Sequence, residues 1–207
     1  MSATLIRRLV ELFVAIFAIG IAVRVIRFVA AALGGDFGTL TWPVQASSVG
    51  TRAQLGNAQI DFGDGLLLVP DQPIGHAIDL GITCTSLALL VIALLALRRV
   101  LIRFAGGDFV VDANTAELRK IGLLLLAVCG LSVVHALVLQ PLILSAVTVP
   151  DGMVLHPAIS WDVKGAQNVW LHYDVPLVTF TLGGLALLLS EAFRVGSAYR
   201  EDSESVV

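Results

Sequence analysis

Four stretches of the chain are almost unbroken apolar sequence, and the polar residues collect between them. They run from about Leu9 to Leu33, Ala77 to Leu97, Leu118 to Leu139 and Val175 to Phe193. A helix needs ~20 mostly apolar residues to cross a bilayer. The pattern therefore predicts an α-helical integral membrane protein with four transmembrane helices in a single membrane domain, residues 1–207. Between the helices lie two long connections, 35–75 and 141–174, and a middle connector, 98–117. A tail, 194–207, closes the chain.

The long connections change period. Leu40, Trp42 and Val44 alternate with polar or turn residues, as do Ala58, Ile60 and Phe62, before Gly63-Asp64-Gly65 and the run Leu66–Val69. In the second connection, Ile159–Val163 and Val169–Tyr173 flank Lys164-Gly165-Ala166-Gln167. Period-two alternation bounded by Gly and Asp is a strand and hairpin signal. A lone hairpin is barely stable in water, so strands from both connections are expected to share one small β-element. Packing or interfacial anchoring is the simpler role for Trp42, Trp161 and Trp170, with an aromatic ligand cleft as the alternative.

Composition supports the membrane assignment. Hydrophobic residues make up 57% and charged residues 14% of the chain, with a net charge of −3; soluble domains average ~25% charged. Nucleic-acid binding lacks a basic patch. Cys84 and Cys129 both sit in apolar runs, so no disulfide framework is spelled out. The first apolar stretch imitates a signal peptide, with Arg7 and Arg8 ahead of it and Ala30-Ala31-Ala32 behind. It is too long for one, however, and Arg24 and Arg27 interrupt it, so an uncleaved span is expected.

Lys and Arg resist translocation. Arg7, Arg8, Arg98, Arg99, Arg103, Arg119, Lys120, Arg194 and Arg200 fall on one side of the four spans, and only Arg52 and Lys164 on the other. Both termini and the middle connector are thus expected in the cytoplasm, with the two β-rich connections outside it. The outer connections are acidic, carrying Asp36, Asp61, Asp64 and Asp71 in one and Asp151, Asp162 and Asp174 in the other.

The middle connector carries the most specific local signals. Gly106-Gly107 suits a helix end. Asn114 and Glu117, three residues apart, suit the reciprocal cap of a new helix. Gly107-Asp108-Phe109, Asn114 and Glu117-Leu118-Arg119-Lys120-Ile121-Gly122 resemble the G-x-F…N…LR-x-I-G stretch of the bacterial DUF2975 membrane proteins. Glu191-Ala192-Phe193-Arg194-Val195-Gly196, followed by a charged tail, is similar to that family's closing segment. Tyr199 departs from the commoner aliphatic residue there, and Ser203 and Ser205 dilute the ending. The resemblance implies a four-span protein of the bacterial inner membrane. Its members have unknown function and are often described beside small helix-turn-helix regulators. It therefore implies a cytosolic transcriptional regulator as partner, and carries over no catalytic residue.

Ionisable groups inside spans are costly and functional by default. The candidates are Arg24, Arg27, Asp79 and His135, with Glu11 and Glu191 near span ends. Pairing of Arg24 or Arg27 with Asp79 accounts for three of them structurally. His135 is expected to bond another helix as a neutral imidazole, with proton or ligand sensing as the alternative. By sequence depth, no carboxylate falls at the level of His135. Cys84 with its Thr and Ser neighbours, Gly122 and Gly130, and Gly183-Gly184 are small-residue patches suited to helix packing. His156 and His172 would meet across a hairpin and hold a metal with Asp162 or Asp174 only if the fold placed them so; their spacing does not demand it.

No P-loop, H-E-x-x-H, G-x-S-x-G or C-x-x-C motif occurs. A non-enzymatic reading follows, with no cofactor and no metal. The chain is read as a regulatory or sensory membrane protein that couples an extracytoplasmic signal to a cytosolic partner. The alternative is a transporter or channel subunit, acting as a homo-oligomer.

Overall fold

The computed structural model describes residues 3–46, 52–55, 57–61, 66–70, 72–107, 112–148, 153–157, 167–171, 173 and 176–205. Among the described residues are four long helices, α1 (Ala3–Gly34), α2 (Pro73–Ala105), α3 (Asp112–Ala146) and α4 (Leu177–Ser205), with four short strands between α1 and α2 and two between α3 and α4. All four helices are long and apolar enough to cross a membrane. Each runs past the apolar stretch that announced it. α2 continues eight residues beyond Leu97, and α3 begins six residues before Leu118. The middle connector is therefore mostly helix. α3 also continues through Pro141 to Ala146, so residues 141–146 belong to the helix and not to the second connection.

Helix ends follow their local chemistry. Gly35 and Gly107, just past α1 and α2, take φ values of +70° and +92°, the left-handed region that glycine enters without a Cβ clash. Asp36 Oδ1 accepts from the Gly38 N–H at 2.8 Å and tightens the turn that follows α1. The expected cap at Asn114 is displaced: α3 already starts at Asp112, so Asn114 lies inside its first turn.

The chain divides into two compact units. One comprises Met1–Val23, Thr83–Ser132 and Pro176–Val207; the other comprises Arg24–Ile82 and Val133–Val175. α1, α2 and α3 contribute to both.

The second unit holds the sheet. β1 (Thr39–Ala46), β2 (Arg52–Leu55), β3 (Ala58–Asp61), β4 (Leu66–Pro70), β5 (Met153–His156) and β6 (Gln167–Leu171) lie in the order β2-β3-β4-β1-β6-β5. Both long connections thus build one sheet, as their alternation predicts. β1 changes partner along its length. Thr39–Pro43 pairs antiparallel with β4, and Val44–Ala46 pairs antiparallel with β6. Pro43, which has no N–H to donate, stands at the changeover.

In the second connection, Ile159–Val163 lies outside the described residues. β6 is the described strand there that alternation predicts. Its two neighbours are β1 and, in parallel, Met153–His156. Met-Val-Leu-His lacks the polar-apolar alternation that marks a half-buried strand, and so left no signal.

The face that the alternation predicted is the buried one. Leu40, Trp42, Val44, Ala58, Ile60, Leu67, Val69 and Leu171 form a core with Ala136, Leu139 and Ile143, which share one face of α3. Trp42 is 5% exposed, so it is a core residue. α2 joins this core closely: a Cβ on Gly75 would stand 3.1 Å from Leu40 Cδ2. Asn57, in the turn between β2 and β3, donates from Nδ2 to the Ala146 carbonyl at 2.9 Å. It thereby satisfies one of the carbonyls left open at the end of α3.

The first unit is held by a smaller core of Ala96, Val100, Leu118, Ile121 and Ala186, against which Leu97, Phe104, Leu125 and Phe193 pack. α3 and α4 approach at Gly122 and Gly183. A Cβ on Gly122 would lie 2.7 Å from Leu187 Cγ and 2.9 Å from the Gly183 carbonyl oxygen. Of the small-residue patches on these helices, only this pair makes close contact; Gly130 and Gly184 have nothing within 4 Å.

The outward faces of the helices stay apolar. Ile26 is 66%, Leu137 60% and Leu188 70% exposed. Water penalises contiguous apolar surface of this kind, whereas hydrocarbon does not.

Candidate functional site

Three ionisable side chains meet in the second unit, each from a different helix. Asp79 of α2 accepts through Oδ1 from His135 Nε2 of α3 at 3.0 Å. Its other oxygen, Oδ2, lies 3.6 Å from Arg24 Nη1 of α1. The His135 ring lies 5.6 Å, centroid to centroid, from the Trp42 indole of β1. One carboxylate therefore joins three helices, and the imidazole it holds rests on the sheet's core tryptophan.

The chemistry of the group is constrained. A carboxylate only accepts hydrogen bonds, so the Nε2 facing it carries the proton. With a neutral imidazole, the Asp79 and Arg24 charges cancel. The group thus sets one carboxylate between one imidazole and one guanidinium, drawn from three helices.

The expected Arg24–Asp79 pair is present. The expectation that no carboxylate reaches His135 is overturned. Sequence depth was counted from the apolar cores alone, but α2 begins four residues before Ala77, and α3 runs seven beyond Leu139. Asp79 is thus seven residues into its helix and His135 is eleven short of the end of its own. Arg27 has no ion-pair partner among the described residues; it stands exposed on α1. His76 stacks on Phe37 at 6.1 Å, and Phe37 in turn contacts Phe28 at 5.6 Å.

In the first unit, contacts join α2 and α3 to α4 at and beside the two family-like stretches. Phe104 and Phe193 rings lie 5.8 Å apart. Ser190 donates from Oγ to the Thr115 carbonyl at 3.0 Å. Leu118 is buried beside Ala186, and Gly122 meets Gly183. Glu117 pairs with Arg99 at 2.8 Å, and Asn114, fully buried, accepts from Arg103 at 3.4 Å. Both side chains thus tie α3 to α2. Glu191 pairs with Arg194, three residues on, at 2.5 and 2.9 Å. Glu11 takes Arg7 at 2.7 Å and Arg98 at 3.7 Å. Gly107 closes α2, and Gly196 stands exposed in α4. Phe109 lies outside the described residues.

Among the described residues, no group of three or more His, Cys, Asp or Glu side chains is placed to hold a metal ion. His156 is buried in β5. Asp162, His172 and Asp174 lie outside the described residues, as does Trp161, and the Trp170 side chain is likewise not described. No family model, curated protein or solved structure matches the chain.

Proposed function

We propose that this chain is a multi-pass protein of the bacterial inner membrane that senses a condition outside the cytoplasm and passes it to a cytosolic partner without catalysing a reaction. Four apolar helices with apolar outward faces support insertion. The distribution of Lys and Arg supports cytoplasmic termini and an extracytoplasmic sheet. The observation that carries the reading is the Trp42–His135–Asp79–Arg24 chain. It links the core of a well-packed sheet to three helices through groups whose burial in a span is expensive unless used.

The partner surface in this reading is the connector Arg98–Lys120 with the tail, the segments that resemble the DUF2975 proteins. A small helix-turn-helix regulator is the partner class that the resemblance suggests. Orientation is tested by replacing Cys84 and Cys129 and placing single cysteines at Thr41 and Ala105. A membrane-impermeant maleimide applied to intact spheroplasts is expected to label Thr41→Cys alone. Labelling of Ala105→Cys alone reverses the orientation. Coupling is tested by co-purification from the native membrane. A cytosolic protein retained by the intact chain and lost from Phe109→Ala is expected; retention of none by either ends the proposal.

A further inference from the structure

We propose that the start of α3 holds one monoanionic phospholipid, a reading that rests on membrane insertion but not on any signalling role. A groove of about 670 Å³ lies along this part of the helix. Its lining changes character in one direction. Asp112, Thr115 and Ala116 come first, then Arg119 and Lys120, then Leu123, Leu124 and Ala127. Polar side chains at the start, cations next and a wholly apolar end match the headgroup, phosphate and acyl chain met on entering a leaflet. Long cationic side chains also reach back toward the interface while their stems stay apolar.

Charge complementarity selects the occupant. Among the described connector and tail cations of this unit, Arg98 is engaged with Glu11, Arg99 with Glu117, Arg103 with Asn114 and Arg194 with Glu191. Arg119 and Lys120 are exposed and hold no ion pair among the described residues. Thr115 Oγ is shielded from solvent, has no hydrogen-bond partner there, and lines the same groove. Two cations and the Asp112 carboxylate leave a net charge of +1, which one phosphodiester neutralises. Asp112 at the polar end disfavours a second negative charge on the headgroup. A lipid of the phosphatidylglycerol type fits, and a free phosphate would leave Leu123, Leu124 and Ala127 uncovered.

The test uses the full chain in nanodiscs of phosphatidylcholine doped with phosphatidylglycerol, followed by native mass spectrometry of retained lipid. Selective retention of phosphatidylglycerol is expected. Each interfacial cation contributes roughly fivefold in affinity for an anionic lipid, so Arg119→Gln with Lys120→Gln should lower retention roughly 25-fold. Arg27→Gln, a cation outside the groove, should leave it unchanged, and Leu124→Trp should lower it by filling the apolar end. Equal retention of both lipids by the intact chain overturns the proposal without any variant. So does competition by soluble glycerophosphate at the lipid's own affinity. A chain that does not enter nanodiscs at all would instead remove the membrane reading beneath it.

Discussion

Adding one methyl group at Gly122 should loosen the contact between α3 and α4, and Gly130 supplies the control on the same helix. A Cβ at Gly122 would sit 2.7 and 2.8 Å from Leu187 Cγ and Cδ2 and 2.9 Å from the Gly183 carbonyl oxygen. Carbon pairs are comfortable at about 3.5–4.0 Å, so something must move by about 0.8 Å. Leu187 meets the new methyl with its side chain, but the Gly183 carbonyl is backbone, and moving it moves α4. Overpacking of this kind costs about 1–3 kcal/mol. Against this, Ala is a better helix former than Gly by about 1 kcal/mol. That gain is common to both sites, because a Cβ at Gly130 meets nothing within 4 Å. The difference between Gly122→Ala and Gly130→Ala therefore isolates the packing cost, about 1–3 kcal/mol. For a chain of this size that corresponds to about 2–4 °C of midpoint for each kcal/mol. Thermal unfolding of both variants in one detergent measures it. Equal midpoints would show that the two helices do not meet at Gly122.

Three further outcomes follow from particular contacts. Asp79→Ala should cost about 1 kcal/mol by removing the acceptor shared by His135 and Arg24. Adding His135→Leu should then cost less than it does alone, and a double-mutant cycle with no coupling would dissolve the pair. Trp42→Ala should cost about 3–5 kcal/mol as a buried aromatic truncation. Its readout is protease susceptibility of the sheet, and wild-type resistance would place Trp42 outside the core. Asn57→Ala removes the hydrogen bond to the Ala146 carbonyl and should cost about 0.5–1.5 kcal/mol. Amide exchange at the end of α3 should quicken, and unchanged protection there would contradict the cap.

Sequence periodicity found what depended on local pattern and missed what depended on pairing. The four helices and the buried faces of β1, β3 and β4 follow from spacing, because burial of Leu40, Trp42, Ile60, Leu67 and Val69 repeats every second residue. β2 is not among the strands that the alternation of Leu40–Val44 and Ala58–Phe62 marks, although Gly56-Asn57 before β3 is a dipeptide that signals a two-residue hairpin. β5 left no trace, because parallel pairing is set by a distant partner and not by its own four residues. The Asp79–His135 bond was legible as two expensive residues but not as a pair. Helix length in the bilayer was counted from apolar residues alone, and the polar ends of α2 and α3 shifted the relative depth. Asn114 shows the converse error. Its type suits a cap, but the helix reaches back to Asp112 and Arg103 claims the side chain.

A transport path within one chain would need polar groups at successive depths, and three of the helices carry long apolar bands. Between Glu11 and Arg24, α1 has twelve apolar residues or glycine; between Ser86 and Arg98, α2 has eleven; and between Lys120 and Ser132, α3 has eleven. At 1.5 Å per residue each band is about 16–18 Å long, and Cys129 is the one side chain in the three that carries an exchangeable proton. Under the sensing function proposed above, a charge change at Asp79 or His135 would be read as a displacement of the helices that carry them and not as ions passing along these bands. Gly122→Ala alters a contact within the first unit alone, so the Asp79–His135 bond of the second unit should remain in place in that variant.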